Sequence, residues 1–326
     1  MIDLITALAA IVLGPLTTFG LYALLNFLVN LLPTDKVREA VRPYVFIGPV
    51  LLLIGLLLVY PTVQSMVFSF MNADSTEFIG FENYIKLFAD PTFLQTVGTN
   101  LLWVAVVPVT TIVVGLFIAT LTDKLGTVRE RVFKSIIFMP MAISFVAASS
   151  IWRLNYQWDA GDTQIGLLNA AVKALGGTPI AWMQTDTLAI NSLLIMVIVI
   201  WANAGFAMTL LSAAIKAVPE ETTEAAALDG ATGSQAFFQI VLPQIWGTVV
   251  SVFITVLISS MKIFDVIWGM TGGNFGTNVL GVDFFLQYFV YNDTGKATAV
   301  VVLLMLAIIP VMYYQVRSYR KQEEIR

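Results

Sequence analysis

Apolar positions in this chain form long, nearly continuous blocks, and charged positions are confined to the short segments between them. Seven stretches of 18 to 32 residues contain no Asp, Glu, Lys or Arg. They are residues 4–32, 44–73, 91–122, 135–152, 187–215, 230–261 and 297–316. A helix crosses the hydrocarbon core of a bilayer with about 20 mostly apolar residues. The pattern therefore predicts an all-α fold, a polytopic integral membrane helix bundle with about seven transmembrane helices.

Two charge-free stretches admit another interpretation. Residues 4–32 resemble a signal peptide in their apolar character, but no basic residue precedes them and 29 residues are long for its apolar core. We interpret them as a span. Residues 266–282 contain Gly272 and Gly273 among several Asn and Thr residues, which favours a loop outside the membrane. The connections 74–90, 153–186 and 268–296 each have room for a short surface helix.

The distribution of Lys and Arg predicts an orientation, because cytoplasmic connections of membrane proteins are enriched in both residues. Twelve of the 17 Lys and Arg residues lie on one side of the predicted spans. These twelve occupy residues 36–42, 124–134, 216 and 317–326. We therefore expect the N-terminus outside the cell and the C-terminus in the cytoplasm.

Composition supports the membrane assignment and excludes several kinds of chemistry. Hydrophobic residues make up 58% of the 326 residues and charged residues 12%, with a mean hydropathy of +0.85. A soluble domain has about 25% charged residues. The chain contains no Cys and no His, which excludes thiolate nucleophiles, Ser-His-Asp triads and metal sites built on those side chains. The net charge of −4 argues against a nucleic-acid partner.

The connection at residues 217–243 contains an acidic helical hairpin. Pro219 suits the first position of a helix, and Glu220 and Glu221 suit its first turn, where the helix dipole favours negative charge. Gly230 can adopt the left-handed conformation that ends the helix. A second short helix is predicted from Ser234 to the residue before Pro243. A loop lying on lipid headgroups would explain its apolar face, but anionic lipids repel the acidic residues, which favours a protein partner with basic residues.

This connection resembles the Glu-Ala-Ala motif of binding-protein-dependent ABC importer permeases. The matching positions are Glu224, Ala225, Ala226, Asp229, Gly230, Ala231, Phe238, Ile240, Leu242 and Pro243. In that family the hairpin is a coupling helix that binds in a cleft of the ATPase subunit. The resemblance implies that Glu224, Ala225, Ala226, Asp229, Gly230 and Ala231 form the ATPase-coupling site.

Further matches indicate the carbohydrate branch of the family. Residues 79–84, with 87–93 and Asn100, are similar to the first outer loop of maltose-type permeases. Residues 264–267 with 270–273 are similar to the end of the helix that follows the coupling loop in those permeases. The resemblance covers residues 44–316, a six-span core. Residues 1–43 add an N-terminal span and a cytoplasmic linker. Such importers use a pair of permeases, and this extra span resembles the first, maltose-F-like member of the pair. Residues 317–326 form a cytoplasmic tail. The sequence of residues 273–278 resembles the corresponding segment of permeases for α-glucosides.

The resemblance implies a permease subunit that translocates a sugar, such as an oligosaccharide or α-glucoside, through a prokaryotic inner membrane. Its expected partners are a second permease, two ATPase subunits, an extracytoplasmic sugar-binding protein and membrane lipid. No cofactor is expected on this chain, because ATP and Mg²⁺ bind the separate ATPase subunits. The chain itself is not expected to be an enzyme. An importer of another solute, such as a glycerol phosphate, is the alternative. An ion-driven transporter is less favoured, since no inverted repeat is evident.

Candidate substrate residues lie on both sides of the coupling segment. Alignment from that segment places the substrate path at Trp201, Asn203, Phe206, Ser259, Ser260, Ile263 and Phe264. The polar members equally suit hydrogen bonds between membrane helices. Lys262 and Asp265 lie three positions apart, which predicts a charge pair on one helix face. That pair suits a structural role better than substrate binding. No metal site is predicted.

Overall fold

The computed structural model describes residues 16–17, 19–161 and 166–324, and side-chain surroundings as far as residue 317. This part of the chain is helical, without a β-strand, and has one isolated β-bridge, between Met71 and Phe78. The chain separates into two compact units, Met1–Val67 and Phe68–Arg326. The predicted all-α fold class is confirmed.

The helices are numbered here in chain order. They are α1 (Phe19–Asn30), α2 (Asp35–Phe68), α3 (Glu82–Ala89), α4 (Pro91–Thr122), α5 (Thr127–Phe138), α6 (Phe145–Asn155), α7 (Leu167–Ala174), α8 (Ile190–Lys216), α9 (Glu220–Leu228), α10 (Gly233–Gln244), α11 (Trp246–Met261), α12 (Asp265–Thr271), α13 (Leu280–Val290) and α14 (Thr294–Glu324). Short 3₁₀ turns occupy Met139–Ala142, Trp182–Gln184 and Thr187–Ala189. Helices α3 and α7 fall in connections where short helices are predicted.

The first unit contains α1 and α2, which contact each other through an aromatic pair. The rings of Tyr22 and Phe46 stack with their centroids 5.8 Å apart, and the Tyr22 hydroxyl donates to the Phe46 carbonyl at 3.0 Å. Near the connection, Arg42 donates to the side-chain oxygen of Asn30 at 3.4 Å. No residue of α2 is buried, and its stretch from residue 43 onward is apolar and mostly exposed, as expected of a helix that faces lipid.

The core of the second unit lies between α4 and α8, which pack against each other along their length. Trp103, Met196, Met208 and Leu211 are completely buried there, together with Ile267 of α12. Close packing of α8 depends on small residues. A Cβ atom on Gly115 would lie 2.7 Å from that of Ala207, and one on Gly205 would lie 2.5 Å from the Ile137 carbonyl oxygen. Small residues allow this close backbone approach between membrane helices.

Four described helices are long and apolar enough to cross a membrane without a break: α2, α4, α8 and α14 as far as Arg317. Two bent pairs bring the described number to as many as six: α5 with α6, bent by 100°, and α10 with α11, bent by 72°. The first bend directly follows the 3₁₀ turn Met139–Ala142, which contains Pro140, and proline is a common cause of such bends. Residues 4–15 and 18 of the predicted span at 4–32 lie outside the described residues, and the rest of that stretch contains the short apolar helix α1. The count of seven spans stays a prediction.

Chain direction defines two ends of the second unit. We call the end that holds residues 123–126 and 217–232 the hairpin end. The other end, which holds residues 70–90, 156–189 and 271–293, is the opposite end. Five long segments of this unit, α4, α5 with α6, α8, α10 with α11, and α14, run alternately between them.

Two predictions about helix boundaries are wrong. The second hairpin helix passes through Pro243 to Gln244 instead of ending before it, because a π-helical turn at Phe237–Val241 precedes the proline. The wider turn accommodates the ring that would otherwise clash with the preceding turn. Residues 266–282 are also more than a surface loop. They include α12, whose Val266 and Ile267 are fully buried in the core.

Candidate functional site

The hairpin formed by α9 and α10 has a well-defined backbone at both helix ends. Pro219 is the N-cap of α9, whereas the sequence predicted it at the first helical position, which Glu220 occupies. At the C-terminus, Gly230 has φ +82°, its N–H donates to Ala227, and the Ala231 N–H donates to Ala226. These two bonds form a Schellman motif, which requires a left-handed residue at the glycine position. Thr232 and Gln235 then form a capping box that begins α10.

The surface of this hairpin combines acidic side chains with one apolar side chain. Leu228 is 90% exposed at the end of α9. The acidic residues around it are Glu220, Glu221, Glu224 and Asp229, all exposed. Of the other predicted coupling residues, Ala225 is exposed, Ala226 is buried and Ala231 is half-buried. The arrangement leaves an acidic surface with a protruding leucine open to a partner.

A charge network beneath the hairpin joins three helices, and sequence reasoning missed it. The ammonium group of Lys134 lies 3.0 Å from Asp123 Oδ1 and 2.5 Å from Glu130 Oε1, and it also contacts the hydroxyl of Ser212. Lys216 Nζ lies 2.5 Å from the same Glu130 oxygen. The network connects the end of α4 to α5 and α8. Only the i,i+4 spacing of Glu130 and Lys134 was visible in the sequence.

The predicted substrate-path residues do not line a common cavity among those that we describe. Asn203 donates to the Val199 carbonyl of its own helix at 2.8 Å. Ser259 and Ser260 likewise donate to carbonyls one turn earlier, and Ser259 is exposed whereas Ser260 is buried. Hydrogen bonds to the preceding turn satisfy hydroxyls locally. Each of these three side chains therefore hydrogen-bonds to its own helix.

The apolar path residues pack against the core. Ile263 is buried, and Trp201, Phe206 and Phe264 are partly buried against the same cluster. Trp201 contacts Trp152 edge to face with centroids 5.8 Å apart. Phe264 also lines a small cavity of about 300 Å³ between the break that follows α11, α13 and α14.

The predicted charge pair of Lys262 and Asp265 is wrong as a pair on one helix face. Helix α11 ends at Met261 and α12 begins at Asp265, and between them Phe264 has non-helical angles of φ −143° and ψ −61°. Both charged side chains are exposed, and within the described residues neither makes an ion pair. The prediction assumed that Lys262 and Asp265 are three positions apart on one continuous helix, and the helix break removes that arrangement.

Comparisons with known proteins agree with this architecture. Residues 111–323 match the family described as binding-protein-dependent transport system inner membrane component. The chain is 42% identical over 289 residues to an α-glucoside transport system permease protein of Rhizobium meliloti (strain 1021), covering 88% of this chain and 85% of the relative. It is 40% identical over 282 residues to an osmoprotective compounds uptake permease protein of Synechocystis sp. (strain ATCC 27184 / PCC 6803 / Kazusa), covering 86% and 100%.

A solved structure shares the fold. It is the bacterial alginate ABC transporter in complex with an alginate pentasaccharide-bound periplasmic protein, with a TM-score of 0.76 at 17% identity, covering 88% of this chain and 96% of that chain. The matched residues 111–323 include the hairpin, the charge network and the predicted substrate path. This chain belongs to the family of binding-protein-dependent ABC importer permeases, the transmembrane components of those transport systems.

Proposed function

We propose that the chain is the membrane-spanning subunit of an ATP-driven importer for an α-glucoside or a related small sugar. The observation that supports this most directly is the exposed hairpin, whose acidic surface and protruding Leu228 suit insertion into a cleft with basic residues. The 42% identity to an α-glucoside permease supports the choice of sugar.

In this proposal, the hairpin transmits ATP-driven motion to the bundle. An ATPase subunit binds α9, where Glu224 forms an ion pair with a basic group of that subunit and Leu228 packs in an apolar depression on its surface. The hairpin continues directly into α11 through the 72° bend at residue 245, so displacement of α9 and α10 reorients that helix. ATP binding then favours one of two bundle conformations by the difference in its affinity for them.

The other parts of the system follow from the same proposal. ATP and Mg²⁺ bind the ATPase subunits, two of which face the hairpins of this chain and of a second permease. The hairpin end lies in the cytoplasm and the opposite end outside, where a soluble sugar-binding protein delivers the substrate. Trp201, Asn203, Phe206, Ser259 and Ser260 are the side chains that we expect along the sugar path once the second permease completes it.

The hairpin can be tested by two substitutions with a matched control. Glu224→Lys reverses a charge and Leu228→Ala removes the protruding side chain. We expect each to reduce sugar-stimulated ATP hydrolysis and uptake in proteoliposomes by about tenfold or more, since truncating a central interface side chain costs ~1–2 kcal/mol or more. Glu77→Lys, at an exposed acidic position of the opposite end, is the control and should retain activity.

The assay also distinguishes substrates. Maltose, sucrose, trehalose and glycerol 3-phosphate are offered in parallel, with purified binding protein and ATP. Uptake of a glycoside and not of glycerol 3-phosphate supports the proposal. If no ATPase copurifies with the wild-type chain, or if Glu224→Lys and Leu228→Ala transport as the wild type does, the coupling role of the hairpin is refuted.

A further inference from the structure

A cavity of about 850 Å³ opens at the opposite end of the second unit, away from the predicted substrate path. Three separate segments surround it: the end of α6 with the residues that follow, the 3₁₀ turn at Trp182–Gln184, and α12 with the turn after it. Its volume lies within the range of about 300–1,000 Å³ that is usual for small-molecule sites.

The walls of this cavity are aromatic. Trp158, Trp182 and Trp268 line it, and Phe275 lines the same space from the turn after α12. Trp158, Trp268 and Phe275 are 43%, 39% and 47% exposed, so part of each side chain remains accessible to a ligand. Large exposed rings gathered from three segments are unusual for residues with only a packing role.

Polar groups accompany the rings. Arg153, Gln157, Gln184 and Thr271 also line the cavity. Arg153 is exposed and, among the described residues, makes no hydrogen bond or ion pair. A guanidinium group and two amides present several donors and acceptors. This combination of flat apolar faces and hydrogen-bonding groups suits a pyranose ring, which has apolar C–H faces and a rim of hydroxyl groups.

The frame of the cavity is rigid. Asn169 is completely buried and holds two walls together. Its side-chain nitrogen donates to the carbonyls of Gln157 at 3.2 Å and Ile180 at 3.0 Å, and its oxygen accepts from the Trp182 indole N–H at 2.9 Å. Trp268 is fixed from behind by Phe285, with ring centroids 4.6 Å apart. Side chains held in this way need little reordering when a ligand binds.

The turn after α12 carries backbone strain at the cavity wall. Phe275 has φ +57°, a left-handed conformation that bulky side chains rarely adopt. The Asn191 side chain donates to its carbonyl at 2.7 Å, and Thr99 donates to the next carbonyl, that of Gly276, at 3.3 Å. Strained residues persist where the surroundings hold them, and they cluster at functional sites.

We infer that this cavity is a carbohydrate subsite that holds one hexose unit of the substrate at the opposite end of the bundle. Trp158 stacks on the sugar ring, and Arg153 and Gln184 hydrogen-bond its hydroxyl groups. The inference rests on the proposed function, because it takes the opposite end to be the side from which sugar enters. It adds a first binding step before the sugar reaches the residues on α8 and α11.

Direct binding tests the subsite without transport. The complete transporter is purified in nanodiscs without its binding protein, and binding of radiolabelled sucrose and maltose is measured by equilibrium dialysis. The variants are Trp158→Leu and Arg153→Gln. Trp246→Leu and Arg129→Gln, at exposed positions of the hairpin end, are the matched controls. Co-elution of the ATPase with each variant confirms that it assembles.

We expect saturable binding of at least one disaccharide to the wild type and to both controls. In each cavity variant the dissociation constant should rise about tenfold, the equivalent of ~1.4 kcal/mol. Absence of saturable binding in the wild type, or equal binding by wild type and cavity variants, overturns the inference. A loss of affinity for the binding protein with unchanged sugar binding also overturns it, since the cavity would then be a protein-docking surface.

ATP-driven uptake by the same preparations, with binding protein added, separates this inference from the proposed function. If the wild type imports sugar but the cavity variants bind sugar unchanged, the subsite is refuted and the importer stands. If the wild type binds sugar in the cavity but shows no ATP-driven uptake, the importer is refuted and the subsite stands.

Discussion

At the scale of single residues, Gly230 illustrates how one backbone conformation shapes the hairpin. Its φ of +82° disfavours any residue with a Cβ atom, although nothing lies within 4 Å of where that atom would be. We predict that Gly230→Ala destabilises the α9–α10 hairpin by ~1–2 kcal/mol through backbone strain alone. Hydrogen exchange of residues 220–229 should accelerate accordingly.

The control for this prediction is Gly233→Ala, three residues further on. Gly233 also has open space around its Cβ position, but its φ is not positive and it begins α10. The Gly233→Ala variant should leave the hydrogen exchange of α9 unchanged. Equal exchange in both variants would show that the left-handed conformation of Gly230 does not limit the hairpin.

Asp283 is a buried acid, and its ionisation should depend on folding. It lies in the first turn of α13, is 8% exposed, and its Oδ2 atom has no hydrogen-bond partner among the described residues. Burial raises the pKa of its carboxyl above the reference value of 3.8. Folding therefore becomes less favourable as the pH rises above 3.8, until the folded form also ionises.

We predict that Asp283→Asn increases stability at pH 7, because the neutral amide carries no charge to bury whereas folding raises the pKa of the Asp283 carboxyl. The gain should decrease with falling pH and disappear below about pH 4, where the acid is protonated in both states. Thermal unfolding of the transporter in detergent measures it. Asp293→Asn is the control with the opposite sign, because it removes an ion pair with Lys296 at 3.1 Å. A pH-independent gain for Asp283→Asn would contradict the assignment.

At the scale of elements, the charge network at the hairpin end fixes three helices to one another. The side chains of Lys134, Glu130 and Asp123 are only 19%, 13% and 17% exposed. Removing one partner of a buried pair leaves an uncompensated charge. We predict that Lys134→Met lowers the free energy of unfolding by ~2 kcal/mol, less than for a fully buried pair because water still reaches the network.

A surface pair provides the comparison for that prediction. Lys86 lies 2.7 Å from Glu82 on α3, but both side chains are about half exposed, at 53% and 50%. Lys86→Met should change stability by less than ~0.5 kcal/mol. If Lys134→Met and Lys86→Met have the same effect in denaturant titrations, the network does not hold α4, α5 and α8 together.

At the scale of the whole molecule, the sequence predicts what is local and misses what depends on distant contacts. The limits of α9 followed closely from Pro219 and Gly230, because caps act within one turn. The break at Phe264 separates Lys262 from Asp265 and has no local signal such as proline or glycine. The cavity likewise joins residues near 155, 183 and 270, whose proximity is set by tertiary packing alone.

Membrane orientation is the last property that the whole chain determines, and the absence of Cys makes it simple to test. Val128 lies at the hairpin end and is 76% exposed, and Leu175 lies at the opposite end and is 89% exposed. Because Lys and Arg concentrate at the hairpin end, we expect that end in the cytoplasm. A membrane-impermeant maleimide should label Leu175→Cys in intact cells, and Val128→Cys only after permeabilisation. Labelling of both variants in permeabilised cells controls for reactivity, and the reverse pattern in intact cells would place the hairpin outside, where no ATP-driven partner could reach it.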